Sequence, residues 1–133
     1  MILLDTHVLI WWTQGIDQLG PKSRLALDAA LDNEQLAVSA VTFWEAALLD
    51  TKNRLKLLPT VLAWRQAALG LGLEELPLTG TIAIASAQLE NMHGDPADRF
   101  LVATALAHDA VLMTADERIL AWPGALRRLD ARQ

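Results

Sequence analysis

The 133 residues suffice for one domain spanning 1–133 and leave little room for another, and a composition 53% hydrophobic and 20% charged excludes a disordered chain. There is no cysteine and no apolar run near the ~18 residues of a membrane span, which excludes a disulfide framework and a thiolate metal site, argues against a membrane-spanning helix, and fits the cytoplasm. A net charge of −5 argues against phosphate binding by a basic surface alone, although carboxylates that carry divalent cations would not repel phosphate.

Short apolar runs alternate with stretches of helical period, the pattern of a parallel sheet wrapped by helices. Met1 to Leu4 reads as a buried strand that stops at Asp5, and Thr6 to Thr13 as a helix carrying Trp11 and Trp12. The stretch Met1 to Trp12 holds Asp5 and His7 and has no basic leader, so it is expected to be neither signal peptide nor anchor. Pro21 opens the next helix, which Ser23 to Leu31 continues. Gln35 to Val38 is a second strand, Ser39 caps a helix to about Thr51, and Pro59 opens another through Leu69. Gly70 and Gly72 break the pattern, Leu73 to Leu76 forms a third strand, and Thr79 caps a helix to Leu89. Asp95 and Pro96 start a helix over Ala97 to His108. Ala110 to Met113 is the fourth strand, Glu117 to Ala121 a short helix and Ala125 to Leu129 a fifth, edge strand. Right-handed crossovers make this a three-layer α/β/α sandwich on a short parallel sheet of four to five strands. Its ligand site belongs beyond the carboxyl ends of those strands.

That layout could bring four acids together. Asp5 follows the first strand, Asp116 lies just beyond the fourth, Asp98 is in the first turn of the helix before it, and Glu45 sits among Phe43, Trp44, Ala46 and Ala47. Each aspartate also has an ordinary structural reading: Asp5, Asp95 and Asp116 stand where helix caps stand, and Asp98 complements a helix dipole. Glu45, in mid-helix, caps nothing. If the four converge, two carboxylates ~4 Å apart repel by about 4 kcal/mol at an effective dielectric near 20, so the cleft must hold protons or a cation. Oxygen ligands without cysteine select hard ions such as Mg²⁺ or Mn²⁺, which suit phosphoryl chemistry.

The segments around these acids are familiar as a set. Leu3-Leu4-Asp5-Thr6-His7-Val8-Leu9, Val38 to Ala47 with its Trp44-Glu45 step, His93-Gly94-Asp95-Pro96-Ala97-Asp98-Arg99 through Ala103, and Leu112-Met113-Thr114-Ala115-Asp116 occur in that order. The set resembles the PIN-domain family, and within it the VapC-type toxins of VapBC toxin–antitoxin systems. The resemblance implies that Asp5, Glu45, Asp98 and Asp116 hold one or two Mg²⁺ or Mn²⁺ ions and that a metal-bound water attacks an RNA phosphodiester. It gives Asp95 a nearby supporting role, Thr6 and Thr114 the task of orienting carboxylates or contacting phosphate, and Ser39 mainly a cap. Arg99, awkward at a helix N-terminus, is expected to hold a carboxylate or a substrate phosphate in its fork. Many relatives carry a lysine four residues after the glutamate; here Leu49 stands there, and Lys52 or Arg54 would have to substitute.

The remaining candidates are weaker. His7, His93 and His108 lack the i, i+4 pairing of a zinc helix; His7 reads as structural, and the other two as exposed loop or helix-end residues. Trp44 and Trp64 fall at apolar helical spacings and belong to the core. Trp11 and Trp12 are adjacent, so one should be partly exposed, where it could pack against a partner. By resemblance that partner is a VapB-like antitoxin in a hetero-oligomer, and the toxin itself pairs as a homodimer. An aspartate-nucleophile phosphatase would need a second aspartate where His7 stands, and a receiver domain an acceptor where Leu76-Pro77-Leu78 stands. A non-catalytic module with an acidic cleft for a basic peptide, and a housekeeping RNA-processing nuclease, remain as alternatives.

Overall fold

The three central strands are short, apolar and closed by a polar residue, the two edge strands carry charged residues, and all five lie parallel to their neighbours. The computed structural model, which describes residues 1–133, has a five-stranded sheet in the order β3-β2-β1-β4-β5. The strands are β1 (Ile2–Leu4), β2 (Leu36–Ser39), β3 (Glu74–Leu76), β4 (Val111–Thr114) and β5 (Arg128–Asp130). The helices are α1 (Thr6–Gln14), α2 (Pro21–Asp32), α3 (Ala40–Thr51), α4 (Val61–Gly70), α5 (Gly80–Ala87), α6 (Pro96–Ala107) and α7 (Glu117–Leu120).

The two-residue period of the strands sorts side chains between two cores. Leu4, Val38 and Met113 point to one face, where they meet Val8, Leu9, Leu27, Ala46 and Trp64 from α1 to α4. Leu3, Ala37 and Leu112 point to the other, against Val102 and Ala105 of α6 and Ile119 and Trp122 around α7. Helices therefore cover both faces, the α/β/α arrangement expected from the sequence, and near-continuous apolar strands are what a doubly covered parallel sheet requires. No helix is long and apolar enough to cross a membrane.

The chain runs outward from β1 through β2 to β3, then returns to the other side of β1 for β4 and β5. The order reverses between β1 and β4, whose registers pair Leu4 with Met113. Strand ends splay apart at such a reversal, which opens a crevice at their carboxyl ends. Asp5 and Asp116 follow β1 and β4 directly into it.

Three elements differ from the sequence-based expectation by two residues or more at one end, and most others by a single residue. The fourth helix starts at Val61, because Thr60 accepts from the N–H of Ala63 and so caps two residues later than a start at Pro59 would require. The fifth ends at Ala87 rather than Leu89, and the edge strand is shifted to Arg128–Asp130. Gly15 ends α1 in the left-handed region (φ 65°), returning its N–H to the Trp11 carbonyl.

Candidate active site

The caps build the site. Asp5 Oδ1 accepts from the N–H of Thr6 at 2.6 Å and caps α1. Asp95 accepts from the N–H of Asp98 and caps α6, and Asp116 accepts from Arg118 and Ile119 to cap α7. Ser39 caps α3 through the N–H of Val41. Three helix N-termini thus point at one crevice, each presenting an acid in its cap or first turn, and α3 contributes Glu45. Capping and convergence turn out to be the same arrangement rather than alternatives.

The result is an open cleft of about 360 Å³ walled by Asp5, Glu45, Asp95, Asp98 and Asp116, with His7, Trp11, Ala115 and Arg118 completing the lining. Five carboxylates face one guanidinium there. Asp5 is buried, and its pKa rises from the ordinary 3.8 to about 6. Burial is the main cause, opposed by the hydrogen bond from Thr114 and reinforced by the charges of Asp98 and Glu45. Asp98 is pushed up as well, first by burial and then by Asp95 and Asp116, against a hydrogen bond from His93. Glu45 Oε1 is buried with no hydrogen-bond partner. A natural fold seldom leaves a carboxylate oxygen in that state unless something else meets it.

Supporting residues hold these acids in place. Thr114 Oγ1 donates to Asp5 Oδ2 at 2.6 Å, and Thr6 Oγ1 lies 3.2 Å from Thr42 Oγ1. Thr6, Thr42 and Thr114 are all fully buried, so these hydroxyls have fixed roles.

Several sequence expectations are corrected. Arg99 holds neither carboxylate nor open phosphate position: its guanidinium donates to the carbonyls of Ser86, Ala87, Leu89, Met92 and His93. It ties the end of α5 to the loop that leads into α6, because the last carbonyls of a helix lack partners of their own. His93 is half-buried rather than exposed, and its Nε2–H donates to Asp98 Oδ2 at 2.7 Å. His7, read as structural, is exposed and lines the cleft. Trp64 is in the core as expected, but Trp44 is 54% exposed, since no element covers that side of α3. Trp11 lines the cleft, whereas Trp12 is half-buried with its indole N–H directed to Asp28.

Sequence reasoning passed over two residues at the centre. The ligand atoms of His93, Asp98 and Asp116 lie within 4.8 Å of one another, close enough to share one cation. Arg118 Nη2 stands 3.7 Å from both Asp98 and Asp116. His93 precedes the α6 cap by two residues, and a chain entering a helix folds back over its first turn, which was the available signal.

The cleft runs on past Glu45 and Asp95 into a second groove, lined also by Lys52 and Arg54 at the end of α3. An apolar hollow of Ala40, Val41, Trp44, Leu78 and Phe100 lies on the outer side of α3. By contrast, the other basic cluster has its charges engaged: Arg127 with Asp109, Arg128 with four backbone carbonyl contacts, and Arg132 with Glu117 and Asp130.

Comparison with known proteins bears on this geometry. The model of the PIN domain family matches residues 2–123. Ribonuclease VapC22 of Mycobacterium tuberculosis (strain ATCC 25618 / H37Rv) is 34% identical over 119 residues, covering 89% of this chain and 88% of that protein. Among solved structures, a DNA-bound VapBC from Salmonella typhimurium superimposes with a TM-score of 0.69 at 21% identity, over 97% of this chain and 96% of that one. A toxin–antitoxin complex from Klebsiella pneumoniae does so with a TM-score of 0.66 at 21% identity, over 98% of each chain.

Proposed function

The chain belongs to the PIN domain family, and from that premise we propose that it is an endoribonuclease that hydrolyses RNA phosphodiesters with Mg²⁺ or Mn²⁺ held by Asp5, Glu45, Asp98 and Asp116. The observation that carries the proposal is the unbalanced charge of the cleft. Asp5 is raised to about 6 and a buried Glu45 oxygen has no partner, both of which a cation would relieve.

The donor set fits such an ion: the cleft offers carboxylate oxygens, the ligands that hard cations such as Mg²⁺ and Mn²⁺ prefer. When bound, the cation supplies Lewis acidity, polarising the phosphate, easing loss of a proton from water and steadying the leaving oxygen. The protein's own residues do the positioning. Thr6 and Thr114 fix the Asp5 carboxylate from two sides, and His93 fixes Asp98. Asp95 anchors the first turn that carries Asp98. Arg99 holds the loop bearing His93, and Ser39 starts the helix bearing Glu45. Lys52 and Arg54 line the groove by which an RNA strand would leave the acids, taking the place of the lysine that Leu49 replaces.

Similarity to VapC22 and to the fold of toxin–antitoxin complexes supports the role of toxin, held in the cytoplasm by a VapB-like antitoxin as a hetero-oligomer. The exposed Trp44 and its apolar hollow beside the cleft offer that antitoxin, or a second toxin in a homodimer, a surface to cover. Of the earlier pair, Trp11 at the cleft wall is better placed for an inhibitory contact than Trp12.

The test is cleavage of a cellular RNA pool by purified protein free of antitoxin, with Mg²⁺, with Mn²⁺ and with chelator. Asp5→Asn and Asp98→Asn variants, shown folded by circular dichroism, run in parallel. Metal-dependent cutting that falls roughly a hundredfold or more in both variants is expected. An intact wild type that binds RNA or basic peptide without cutting under any of these conditions would instead make the domain a binding module.

A further inference from the structure

We infer that Arg118 is the residue that grips the phosphate being cut, a role the sequence had suggested for Arg99. The inference rests on the nuclease reading above and names the part of the site that meets substrate charge.

Three arginines lie near this end of the sheet or its flank, and their donors are used differently. Arg99 and Arg128 direct their guanidinium groups to backbone carbonyls at 2.7 to 3.4 Å, so neither can turn to a ligand without stranding those carbonyls. Arg118 makes no hydrogen bond through its side chain. Its only partners are Asp98 and Asp116, both at 3.7 Å, beyond hydrogen-bond range. Its side chain is 60% exposed and it lines the cleft as the one guanidinium among the five carboxylates. The donor fork of Arg118 is therefore free.

Charge argues the same way. Even with a divalent cation bound, five carboxylates leave the cleft negative, and a phosphodiester brings another negative charge. Lys52 and Arg54 line the adjoining groove with Glu45 and Asp95 and do not reach the cleft wall formed with Asp5, Asp98 and Asp116. Arg118 alone can meet a non-bridging phosphate oxygen at the acids themselves. A planar fork suits that contact, because two N–H groups can reach one phosphate together. Without substrate, the same guanidinium partly offsets Asp98 and Asp116, so it should compete mildly with the cation there.

The experiment compares Arg118→Gln and Arg118→Lys with wild type, and uses Arg127→Gln, paired with Asp109 at the opposite end of β4, as control. Initial rates are taken over a range of concentrations of whichever RNA the pool experiment shows to be cut, at several salt concentrations. Mn²⁺ affinity without RNA is measured separately by electron paramagnetic resonance. Arg118→Gln should raise KM or lower kcat/KM by about tenfold or more, and reduce the salt slope of log affinity by about 0.7, one phosphate contact on a single strand. Mn²⁺ should bind this variant as well as wild type or a few-fold tighter. Arg118→Lys should recover the salt slope but only part of the rate. Unchanged RNA kinetics in Arg118→Gln would overturn the inference while leaving the nuclease reading intact. Weakened Mn²⁺ binding in that variant would also overturn it, by making Arg118 a support of the metal site. A wild type that cuts no RNA would remove the nuclease reading and the inference with it.

Discussion

Two acids on the same sheet show opposite behaviour. At its edge, Glu75 of β3 sits in the fork of Arg65, with contacts of 2.9 and 2.6 Å, and its pKa is lowered, chiefly by that hydrogen-bonded pairing. In the cleft, Asp5 at the end of β1 has only hydroxyl and amide partners, and burial lifts it to about 6. No arginine fork closes on Asp5: the one guanidinium of the cleft, Arg118, stands 3.7 Å from Asp98 and Asp116 and offsets them only in part. Where a chain matches a carboxylate with its own cation, the pair belongs to stability; where it gathers five carboxylates around one guanidinium, they stand ready for a cation from solution.

The largest expected effect breaks the contrast at its strained side. The raised pKa of Asp5 means that the folded state favours the protonated acid. Its stabilising contribution is complete below about 3.8 and is lost as pH rises through about 6. Metal-free protein should therefore become less stable between pH 4 and pH 7, by about 3 kcal/mol from this group alone. Asp5→Asn keeps the cap to Thr6 and removes the charge, so at pH 7.5 the metal-free variant should be more stable than wild type by a similar amount. Urea unfolding across pH with chelator present measures both. Excess Mn²⁺ should reverse the order by stabilising wild type alone. A variant less stable than wild type without metal would show that Asp5 is satisfied by its neighbours.

A smaller effect sharpens the same point. Thr114 supplies the hydrogen bond that lowers the Asp5 pKa, and it does so from a fully buried position. Thr114→Val keeps the shape and removes the donor. The anionic form should become harder to reach, and Mn²⁺ affinity at pH 7 should fall about ten- to hundredfold, the usual range for a residue that orients a ligand. Titration calorimetry reads this without any substrate. Unchanged affinity would mean that the cation does not engage Asp5.

How far these features could be read from sequence depended on whether the signal was local. Strands β1 and β4 announce themselves as apolar runs ending at a polar residue, and Asp5, Ser39, Asp95 and Asp116 occupy cap positions that a few neighbours define. The parallel order that brings the acids into one cleft followed from crossover rules. Arg99 could not be read in this way, because its partners are carbonyls of a loop, and backbone groups leave no trace in residue identity. Trp44 lies at core spacing on α3, yet spacing defines a helix face without saying whether another element covers it. Arg118 sits two residues past an N-cap, an unfavourable place for a cation beside a helix dipole; the same reasoning applied to Arg99 found a structural clamp there.

The smallest effect tests the balanced side. Glu75→Gln removes the charge from a pair whose side chains are about a third exposed, so solvent already screens most of the attraction. Arg65 also packs 5.4 Å over the Phe43 ring, a contact that the substitution leaves in place. The melting temperature at pH 7 should fall by no more than about 4 °C. Because the folded pKa of Glu75 lies below its usual 4.5, its contribution is present above that value and is lost as pH falls through the folded pKa. The gap between variant and wild type should therefore close in acid and narrow in high salt, the reverse of the trend for Asp5. A gap that does not narrow at all as pH falls below 4.5 would assign the loss to packing, and the edge pair would no longer serve as the charge-balanced counterpart of the cleft.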